Sequence, residues 1–354
     1  MHSPKAGAVP PIRVTLIAVC WAALFMLLTC PSGTSADPSA GDAVGEPRPV
    51  QIGIKLDQIV NIDQKAESFT AVYTLQLRYR EPALAFERSA GDTPFKLLTI
   101  AGLLAQTQQS GLVWPDFVLE NMQGRRDVNL ESVQIHPDGE VRYFERATAT
   151  FQAPDFDFRG FPFDTQVFFI RVLLQIPDSI FVFEPLSGAT GIGDQLGEEE
   201  WLVSESFSEL DTRIGLGGLS QSQFSLGFRA HRHLVYYIVR IFVPMLIILL
   251  VSWFTFRLRD YAKRIDIGIT VLLLFIALNF TLGSDLPRLG YLTAVDAVVA
   301  GTFLITGAVI LLNVQLRFLQ TRGREDEARR LDRFGAIIYW PAYLLGLSGA
   351  LLMI

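Results

Sequence analysis

The apolar stretch 262–284 contains a carboxylate and several hydrogen-bonding side chains. At about 100° per residue, a helix brings seven of its residues within about 40° of one line. The seven are Ala262, Asp266, Thr270, Leu273, Ala277, Phe280 and Ser284. Because a carboxylate that faces lipid is costly, we expect Asp266 to face protein or water.

Two arrangements would keep the Asp266 carboxylate away from lipid. In the first, it pairs with a basic residue inside a bundle of helices from one chain. In the second, several copies of the stretch line a pore, where Asp266 forms a ring of carboxylates. Constrictions that close by dewetting would then come from Leu273, Ala277 and Phe280. Such a ring selects cations, although Lys263, about one turn away, would oppose it. The spacing alone leaves both arrangements open.

This stretch is one of four apolar spans, each close to the roughly 20 residues that cross a bilayer as a helix. The predicted spans are 234–256, 262–284, 292–318 and 333–354, within a transmembrane domain at 233–354. Lysine and arginine are concentrated between the first and second spans and between the third and fourth. Because positive charge marks the cytoplasmic side, the domain before the spans and the C-terminus are predicted to lie outside.

The segment before the spans has the alternation that is typical of half-buried strands. Apolar residues take every second position from Val50 to Leu56, and again from Phe69 to Tyr79. Many short strands within 50–232, with no convincing amphipathic helix between them, predict an antiparallel β-sandwich. The predicted fold class is therefore α+β, with an extracellular β-sandwich followed by a four-helix transmembrane bundle.

The N-terminus predicts export. A basic start, an apolar run and a region of small residues indicate a signal peptide at 1–36, followed by a flexible leader at 37–49. Both cysteines, Cys20 and Cys30, lie in the signal, so the mature chain is predicted to contain no disulfide. The net charge is −6 over 354 residues, and no long basic run indicates a nucleic-acid partner.

Four short motifs follow one another along the chain. They are IDQKAESF at 62–69, FPFDTQ at 161–166, YYIVRIFVPMLIILLVSW at 236–253 and GSDLPRLGY at 283–291. Together they resemble motifs of the pentameric ligand-gated ion channels, the Cys-loop receptor family, and in particular of its bacterial members without the loop cysteines. The resemblance implies a homopentamer in the bacterial inner membrane, surrounded by lipids, with the N-terminal domain and the C-terminus periplasmic. It also implies a small-molecule or proton agonist, no cofactor and no enzymatic activity, and the Asp266 ring makes monovalent cations the expected permeant ions.

The resemblance further implies that the apolar loop FDFRGFPFDTQ, at 156–166, presses on the outer ends of the membrane helices. Phe161, Pro162 and Phe163 would meet the link between the second and third spans, near Pro287 and Tyr291. The loop would then carry motion of the β-sandwich to the second span, which is allostery between two sites with two global states.

A carboxylate–guanidinium pair is implied at the same junction. Asp164 would pair with Arg232, just before the first span, in a directional contact that is costly to break on one side. Lys65 and Glu67, in the tip of the first hairpin, would complete the junction, and Glu67 is a candidate proton sensor. A structural latch without a part in gating is the alternative for the Asp164–Arg232 pair.

Two further expectations concern charged side chains. Arg240 and Asp296 share a depth in the first and third spans, which predicts an intramembrane ion pair. Four acidic residues suit Ca²⁺, which takes oxygen ligands and would modulate the protein, although a solvated loop is the alternative. They are Asp194, Glu198, Glu199 and Glu200.

The ligand-binding residues remain unassigned from the sequence. The segment 212–223, where the family's capping loop falls, contains no aromatic residue for a cation cage. A membrane-anchored sensor that binds a ligand without conducting ions is therefore the alternative function. An exported enzyme is disfavoured, because no nucleophile-elbow or metal-protease motif is present.

Overall fold

The computed structural model describes residues 46–89, 93–194, 196–197, 200–215, 217–282 and 289–352. The predicted signal peptide and most of the predicted leader lie outside these ranges. So do four of the residues singled out above, namely Glu198, Glu199, Ser284 and Pro287.

The first part of the chain forms two packed β-sheets. The described residues contain eleven strands: β1 (Arg48–Asp63), β2 (Ser68–Arg80), β3 (Lys96–Leu98), β4 (Phe117–Leu119), β5 (Met122–Ile135), β6 (Glu140–Gln152), β7 (Thr165–Pro177), β8 (Phe181–Pro185), β9 (Gly191–Ile192), β10 (Trp201–Ile214) and β11 (Ser220–Arg232). The larger sheet has the order β3-β5-β6-β2-β1-β8, with β9 beside β1, and the smaller has the order β10-β11-β7-β4. The predicted β-sandwich is confirmed.

The alternation of apolar residues decides which face of each strand is buried. Val50, Ile52 and Leu56 of β1 are fully buried, as the period of two requires. Aromatic rings from both sheets meet between them. The Phe69 ring lies 5.2 Å from that of Phe168 and 5.5 Å from that of Phe228, both edge-on. These contacts close the core of the sandwich.

The sandwich differs from the prediction in two ways. Strand β1 pairs in parallel with β8, from Arg48 opposite Phe181 onward, so the larger sheet is mixed and not purely antiparallel. A helix, α1 (Ile100–Gln109), also lies within this domain, and the Thr99 side chain caps it by accepting a hydrogen bond from the Gly102 N–H. Periodicity defines the faces of a strand but not its neighbour, which explains the first difference.

Four helices follow the sandwich. They are α2 (Leu234–Arg257), α3 (Tyr261–Leu282), α4 (Ala294–Thr321) and α5 (Glu325–Leu351). Helix α2 has a widened turn at Ile238–Phe242, directly before Pro244, which has no N–H to donate. Of the described helices, α2, α3 and α4 are long and apolar enough to cross a membrane. Helix α5 begins at Glu325, about two turns before the predicted fourth span.

One apolar cluster joins the sandwich to the helices. Phe158 and Phe161 of the loop 156–166 are buried together with Tyr237 and Ile241 of α2 and Phe275 of α3. The core of the helical domain therefore begins inside the β-domain, and a displacement of the loop acts directly on α2 and α3.

Candidate pore and coupling site

Helix α3 packs one face against its own chain and exposes the opposite face. Val271 and Phe275 are buried, whereas Leu273 is 62% exposed and Phe280 is 80% exposed. The predicted stripe lies on the exposed side from Asp266 to Phe280, with Ala262 half-buried at its start. The helices of one chain thus leave this stripe uncovered, and only further copies of the protein, water or lipid can contact it.

A glycine fixes the rotation of α3 about its own axis. A Cβ atom added at Gly268 would lie 2.7 Å from Cγ1 of Ile310 on α4, closer than real contacts allow. The backbone of α3 at Gly268 is therefore in direct contact with the Ile310 side chain of α4. Because Gly268 must face α4, Asp266 and Thr270 must face elsewhere.

The charged end of the stripe is also exposed. Asp266 and Lys263 are both accessible and make no ion pair with the described part of the chain. The arrangement in which Asp266 pairs with a basic residue inside a single-chain bundle does not match this geometry. The pore arrangement does, since it requires the carboxylate to face away from its own chain.

Arg264, next to Lys263, has a different environment that the sequence did not predict. Its buried guanidinium contacts Asp332 of α5, with Nη1 at 2.5 Å from Oδ1. Nε donates to the Leu258 carbonyl at 2.7 Å, and Nη2 donates to the Phe256 carbonyl at 2.9 Å. The base of α3 is therefore anchored to the end of α2 and to α5.

At the outer end of the helices, Arg232 pairs with Asp164. The guanidinium Nε donates to Oδ1 at 2.9 Å, and both side chains are buried. Gln166 braces the carboxylate, because its Nε2 lies 2.5 Å from Oδ2 of Asp164. The ion pair that the resemblance implied is present, with an amide partner that it did not include.

Aromatic rings enclose the same guanidinium. Its Cζ lies 4.2 Å from the Trp201 ring centroid, 4.8 Å from that of Phe161 and 5.7 Å from that of Tyr237. The negative faces of these rings attract a cation, so they compensate in part for its lost hydration. Trp201 and Tyr237 were not predicted, and Trp201 stands 31 residues before Arg232, so no local pattern pointed to it.

Glu200 connects this cluster to the tip of the first hairpin. Its carboxylate accepts hydrogen bonds from the Tyr237 hydroxyl, from Nη1 of Arg232 at 3.4 Å and from Nε2 of Gln64 at 3.2 Å. Glu200 therefore belongs to the junction. Within the described residues, no group of three or more His, Cys, Asp or Glu side chains is placed to hold a metal ion. Asp194 and Glu200, the described members of the predicted calcium site, therefore do not form such a group.

The two charged residues of the hairpin tip are exposed. The Lys65 N–H donates to Oδ1 of Asp63 at 2.9 Å and closes the turn. Glu67 has a φ of +48°, a conformation that costs energy for any residue with a Cβ atom. The Ala153 N–H donates to the Glu67 carbonyl at 2.8 Å, which ties this strained residue to the strand that leads into the loop 156–166.

The loop 156–166 contacts α2 through two of the predicted aromatic residues, Phe161 and Phe163, and reaches Tyr291 through Phe158 and Arg159, which were not predicted. The Phe158 N–H donates to the Tyr291 hydroxyl at 3.1 Å, and the Arg159 guanidinium lies 5.0 Å from the Tyr291 ring centroid. Phe161 packs edge-on against Tyr237, with their centroids 5.1 Å apart. The exposed Phe163 lies 5.9 Å from Phe242.

The expected contact of Phe161, Pro162 and Phe163 with the link after α3 stays a prediction near Pro287, which lies outside the described residues, whereas Tyr291, at the described end of the link, packs against the cluster that contains Phe161. Phe161 and Phe163 pack against α2, and Pro162 stands between them after a cis peptide bond. The loop reaches α4 through Phe158 and Arg159, since the Ala294 N–H also donates to the Arg159 carbonyl at 2.8 Å. A turn closed by the hydrogen bond from the Phe161 N–H to the Phe158 carbonyl, at 3.0 Å, separates the two groups of contacts.

The predicted pair between Arg240 and Asp296 is not formed in the chain. Asp296 caps α4, because its Oδ2 accepts from the Thr293 N–H at 2.9 Å and from the Thr293 hydroxyl at 2.8 Å. The Arg240 guanidinium lies 5.2 Å from the Tyr236 ring centroid. A shared depth did not bring the two together, because a first-turn carboxylate is used by its own helix terminus.

Comparison with known proteins adds independent information. A family model described as “Neurotransmitter-gated ion-channel ligand binding domain” matches residues 37–172, which include strands β1 to β6. The chain is 28% identical over 305 residues to a proton-gated ion channel of Gloeobacter violaceus, a match that covers 85% of this chain and 81% of that one.

Animal receptor subunits match over a similar part of the chain. Identity is 25% over 307 residues to the gamma-aminobutyric acid receptor subunit rho-3 of Rattus norvegicus, covering 83% of this chain and 62% of that one. It is 23% over 313 residues to subunit rho-2 of Homo sapiens, covering 84% and 64%. The match therefore spans less than two thirds of these receptor subunits.

Proposed function

Because this chain belongs to the pentameric ligand-gated ion channels, the Cys-loop receptor family, we propose that five copies form a proton-gated, cation-selective channel whose pore is lined by α3. It is a ligand-gated ion channel and not an enzyme. The observation that carries the pore assignment is the face of α3 that its own chain leaves uncovered, with Asp266 and Thr270 at one end.

Five such faces around an axis would enclose a narrow path with a defined order of side chains. Asp266 would form a carboxylate ring at the cytoplasmic end, followed by the hydroxyls of Thr270 and then by the apolar rings of Leu273 and Phe280. A carboxylate ring concentrates cations, and apolar rings close by dewetting. Lys263 opposes the ring from the adjacent turn, so the net preference depends on which side chain lies closer to the axis.

Protons are the proposed agonist. The Gloeobacter violaceus relative is proton-gated, and the segment 212–223 of this chain offers no aromatic cage for an organic cation. At the junction, Glu67 lies in the first hairpin tip, and Glu200 contacts both Gln64 of that tip and Arg232. Protonation of Glu200 would weaken that contact and change how the hairpin is held.

The route to the pore follows from the contacts at the junction. The Asp164–Arg232 pair attaches the loop 156–166 to the strand that enters α2, and Phe158 attaches it to Tyr291 before α4. Helices α2 and α4 both pack on α3. A shift of the loop would therefore tilt α3 between two neighbours, which is the kind of discrete rearrangement that packed helices permit.

Current through a planar bilayer containing the purified full-length chain tests the proposal. Lowering the pH should open a current whose reversal potential in a NaCl gradient lies toward the Na⁺ equilibrium value. Asp266→Asn should move that potential toward zero, because the ring loses its charge. Asp326→Asn removes a carboxylate of α5 outside the stripe and serves as the matched control.

The outcomes separate the alternatives. An unchanged reversal potential in Asp266→Asn would refute the carboxylate ring as the selectivity filter. An anion-selective wild-type current would overturn cation selectivity and point to Lys263. If the assembled protein changes its thermal stability with pH but carries no current, with and without Ca²⁺, the sensor without conduction is the better description.

A further inference from the structure

Two carboxylates of the β-sandwich, Glu131 and Glu145, have no role in the function proposed above. They are directly opposite each other on the neighbouring strands β5 and β6. Glu145 is fully buried, and Glu131 is half-buried. Like charges at opposite positions of a sheet repel each other, and two carboxylates that share one site cannot both be ionised without cost. The pair therefore needs positive charge.

The positive charge that the structure supplies is not sufficient. Arg126 of β5 directs its Nη2 to Oε2 of Glu145 at 3.2 Å, and its guanidinium lies 5.6 Å from the ring centroid of Phe117 on β4. The pairing of β5 with β6 is irregular next to Arg126, and such irregularities re-aim side chains. Among the described groups that contact the pair, two carboxylates against one guanidinium leave one negative charge, which a single proton would neutralise.

The hydroxyl of Tyr143 indicates the position of that proton. It lies 2.6 Å from Oε2 of Glu145 and 2.9 Å from Oε1 of Glu131. Because a hydroxyl has one hydrogen, it can donate to only one of the two. The other contact is a hydrogen bond only if that carboxyl carries a proton and donates it to the Tyr143 oxygen. Glu145 also accepts from the Tyr73 hydroxyl of β2 at 2.6 Å and contacts Arg126, so its anion is the better stabilised of the two.

We propose that Glu131 and Glu145 share one bound proton through Tyr143, with Glu131 as the acid and Glu145 as the anion. The Glu131 carboxyl donates to the Tyr143 oxygen, and the Tyr143 hydroxyl donates to Glu145, in a chain whose members polarise one another. The half-buried position of Glu131 allows the proton to exchange with water. When the proton leaves, Glu131 becomes a second anion beside Glu145 and is repelled from this contact.

The proton site lies at an edge of the larger sheet. Strand β3 pairs with β5 only at 133–135, so the preceding part of β5 has β6 as its one described neighbour. Val128 and Leu130 are exposed on this part of β5. Loss of the proton therefore changes a strand whose outer edge the described domain leaves uncovered. The site adds a proton-binding position to those of the junction, and its link to gating rests on the function proposed above.

Infrared spectroscopy of the full-length chain in an ester-free detergent tests the bound proton, because protonated and ionised carboxyl groups absorb at different frequencies. At about pH 6 exposed carboxylates are ionised. Glu81 and Asp164, which are also buried, each pair with an arginine. The wild type should show a protonated carboxyl band, and Glu131→Gln should remove it. The control Glu209→Gln removes an exposed carboxylate of β10 and should keep the band.

Tyr143→Phe removes the bridge and leaves both carboxyl groups in place. The band should shift or disappear, because the Glu131 acid loses its acceptor. A wild-type protein without the band would overturn the shared proton, even if every variant failed to fold. So would a band that persists in Glu131→Gln or is identical in Tyr143→Phe. These measurements do not depend on conduction.

The link to gating has a separate measurement. The amide of Glu131→Gln offers Tyr143 an N–H donor in place of the acid, so it imitates the protonated state. The pH for half-maximal current should move toward neutral by about one unit, a tenfold change in proton concentration that is ordinary for coupled sites. Glu209→Gln should not move it. An unchanged pH in Glu131→Gln would overturn the link to gating, whereas a wild-type channel that ignores pH would refute the proposed proton gating and leave the infrared result standing.

Discussion

Arg232 shows how the surroundings of a buried residue decide whether its charge is tolerated in the folded protein. Its side chain is fully buried, and a buried cation is tolerated only when it is paired and hydrogen-bonded. Here Asp164, Glu200 and three aromatic rings share that task. Arg232, at the end of β11, therefore holds together the loop 156–166, the start of β10 and α2, and a change in one partner alters its contacts with the others.

Removal of the charge from Asp164 is expected to destabilise the protein strongly. Asp164→Asn leaves Arg232 buried with a weaker partner, and breaking a buried pair on one side costs about 3–5 kcal/mol. The melting temperature of the detergent-solubilised protein should fall by about 6 °C or more. Glu205→Gln is the control, because Glu205 pairs with Arg229 on the surface, where such pairs contribute at most about 1 kcal/mol. Equal falls in the two variants would contradict the argument.

A second buried acidic residue limits the pH range over which the β-sandwich is stable. Glu145 is fully buried and accepts hydrogen bonds from the hydroxyls of Tyr73 and Tyr143, each at 2.6 Å. Burial, and then the charge of Glu145, raise the pKa of both tyrosines above the ordinary value of 10.0. Both are therefore neutral in the folded protein at a pH where the unfolded chain has ionised them.

The sign of the pH effect follows from these raised pKa values. Stability is fully present below about pH 10 and decreases as the pH rises further, by about 1.4 kcal/mol per pH unit for each tyrosine. Melting curves between about pH 8 and about pH 11 should show this slope. The variant Tyr73→Phe, Tyr143→Phe should show a shallower slope, whereas Tyr236→Phe, at an exposed position, should not. A slope that is unchanged in the double variant would disprove the assignment.

At the scale of the elements, the orientation of α3 determines which side chains face away from the bundle. The close approach at Gly268 sets this orientation from one side, and the Arg264–Asp332 pair fixes the base of the helix. The apolar cluster around Phe275 holds the other end against α2. A helix held at three points moves as a rigid unit, so the stripe still points away from its own chain when the helix tilts.

Gly268→Ala should disturb this arrangement. The added Cβ would lie 2.7 Å from Cγ1 of Ile310, so that side chain or the two helices must shift, at a cost of about 1–3 kcal/mol. A lower melting temperature and a shifted pH for half-maximal current are the expected results. Gly307→Ala is the matched control, because nothing lies within 4 Å of its added Cβ and alanine favours a helix. If both variants behave like the wild type, the Gly268 contact does not orient the pore helix.

At the scale of the whole molecule, a single chain leaves several large apolar side chains of α3 exposed, among them Leu273, Leu274 and Phe280. A single-chain bundle would face such residues into lipid together with the Asp266 carboxylate, which is unfavourable. Assembly around an axis would remove the conflict, because the polar positions of the proposed pore would line water and their flanks would contact neighbouring subunits. The exposed face of α3 therefore favours assembly of several copies of the chain.

Cross-linking examines this assembly. Asp266→Cys introduces a thiol into a chain whose own cysteines, Cys20 and Cys30, lie in the predicted signal peptide. Mild oxidation should produce disulfide-linked dimers of subunits, because neighbouring copies bring the thiols to the same axis. Leu345→Cys, exposed on α5, is expected to give none. Dimers from both variants in equal amounts would indicate random collision and not a shared axis.

Local patterns were sufficient for the division of the chain into a β-sandwich and a helical domain, and for the uncovered stripe of α3. Alternation and helical spacing are properties of neighbouring residues, so burial on one face follows from them directly. The parallel pairing of β1 with β8, the helix α1 and the contacts of Phe158 were not predictable in the same way, because they depend on which segments meet in space.

Two ion pairs make the distinction clear, since 68 residues separate the partners in both. Asp164 and Arg232 were predicted only through the resemblance to a family, and Arg264 and Asp332 were not predicted at all. The wrong pairing of Arg240 with Asp296 came from depth alone, whereas the Asp296 carboxylate caps its own helix. The sequence by itself determined the faces of strands and helices, because these depend on local periodicity. Only the tertiary structure decided which charges meet, because that choice depends on competition among all the partners that folding brings within reach.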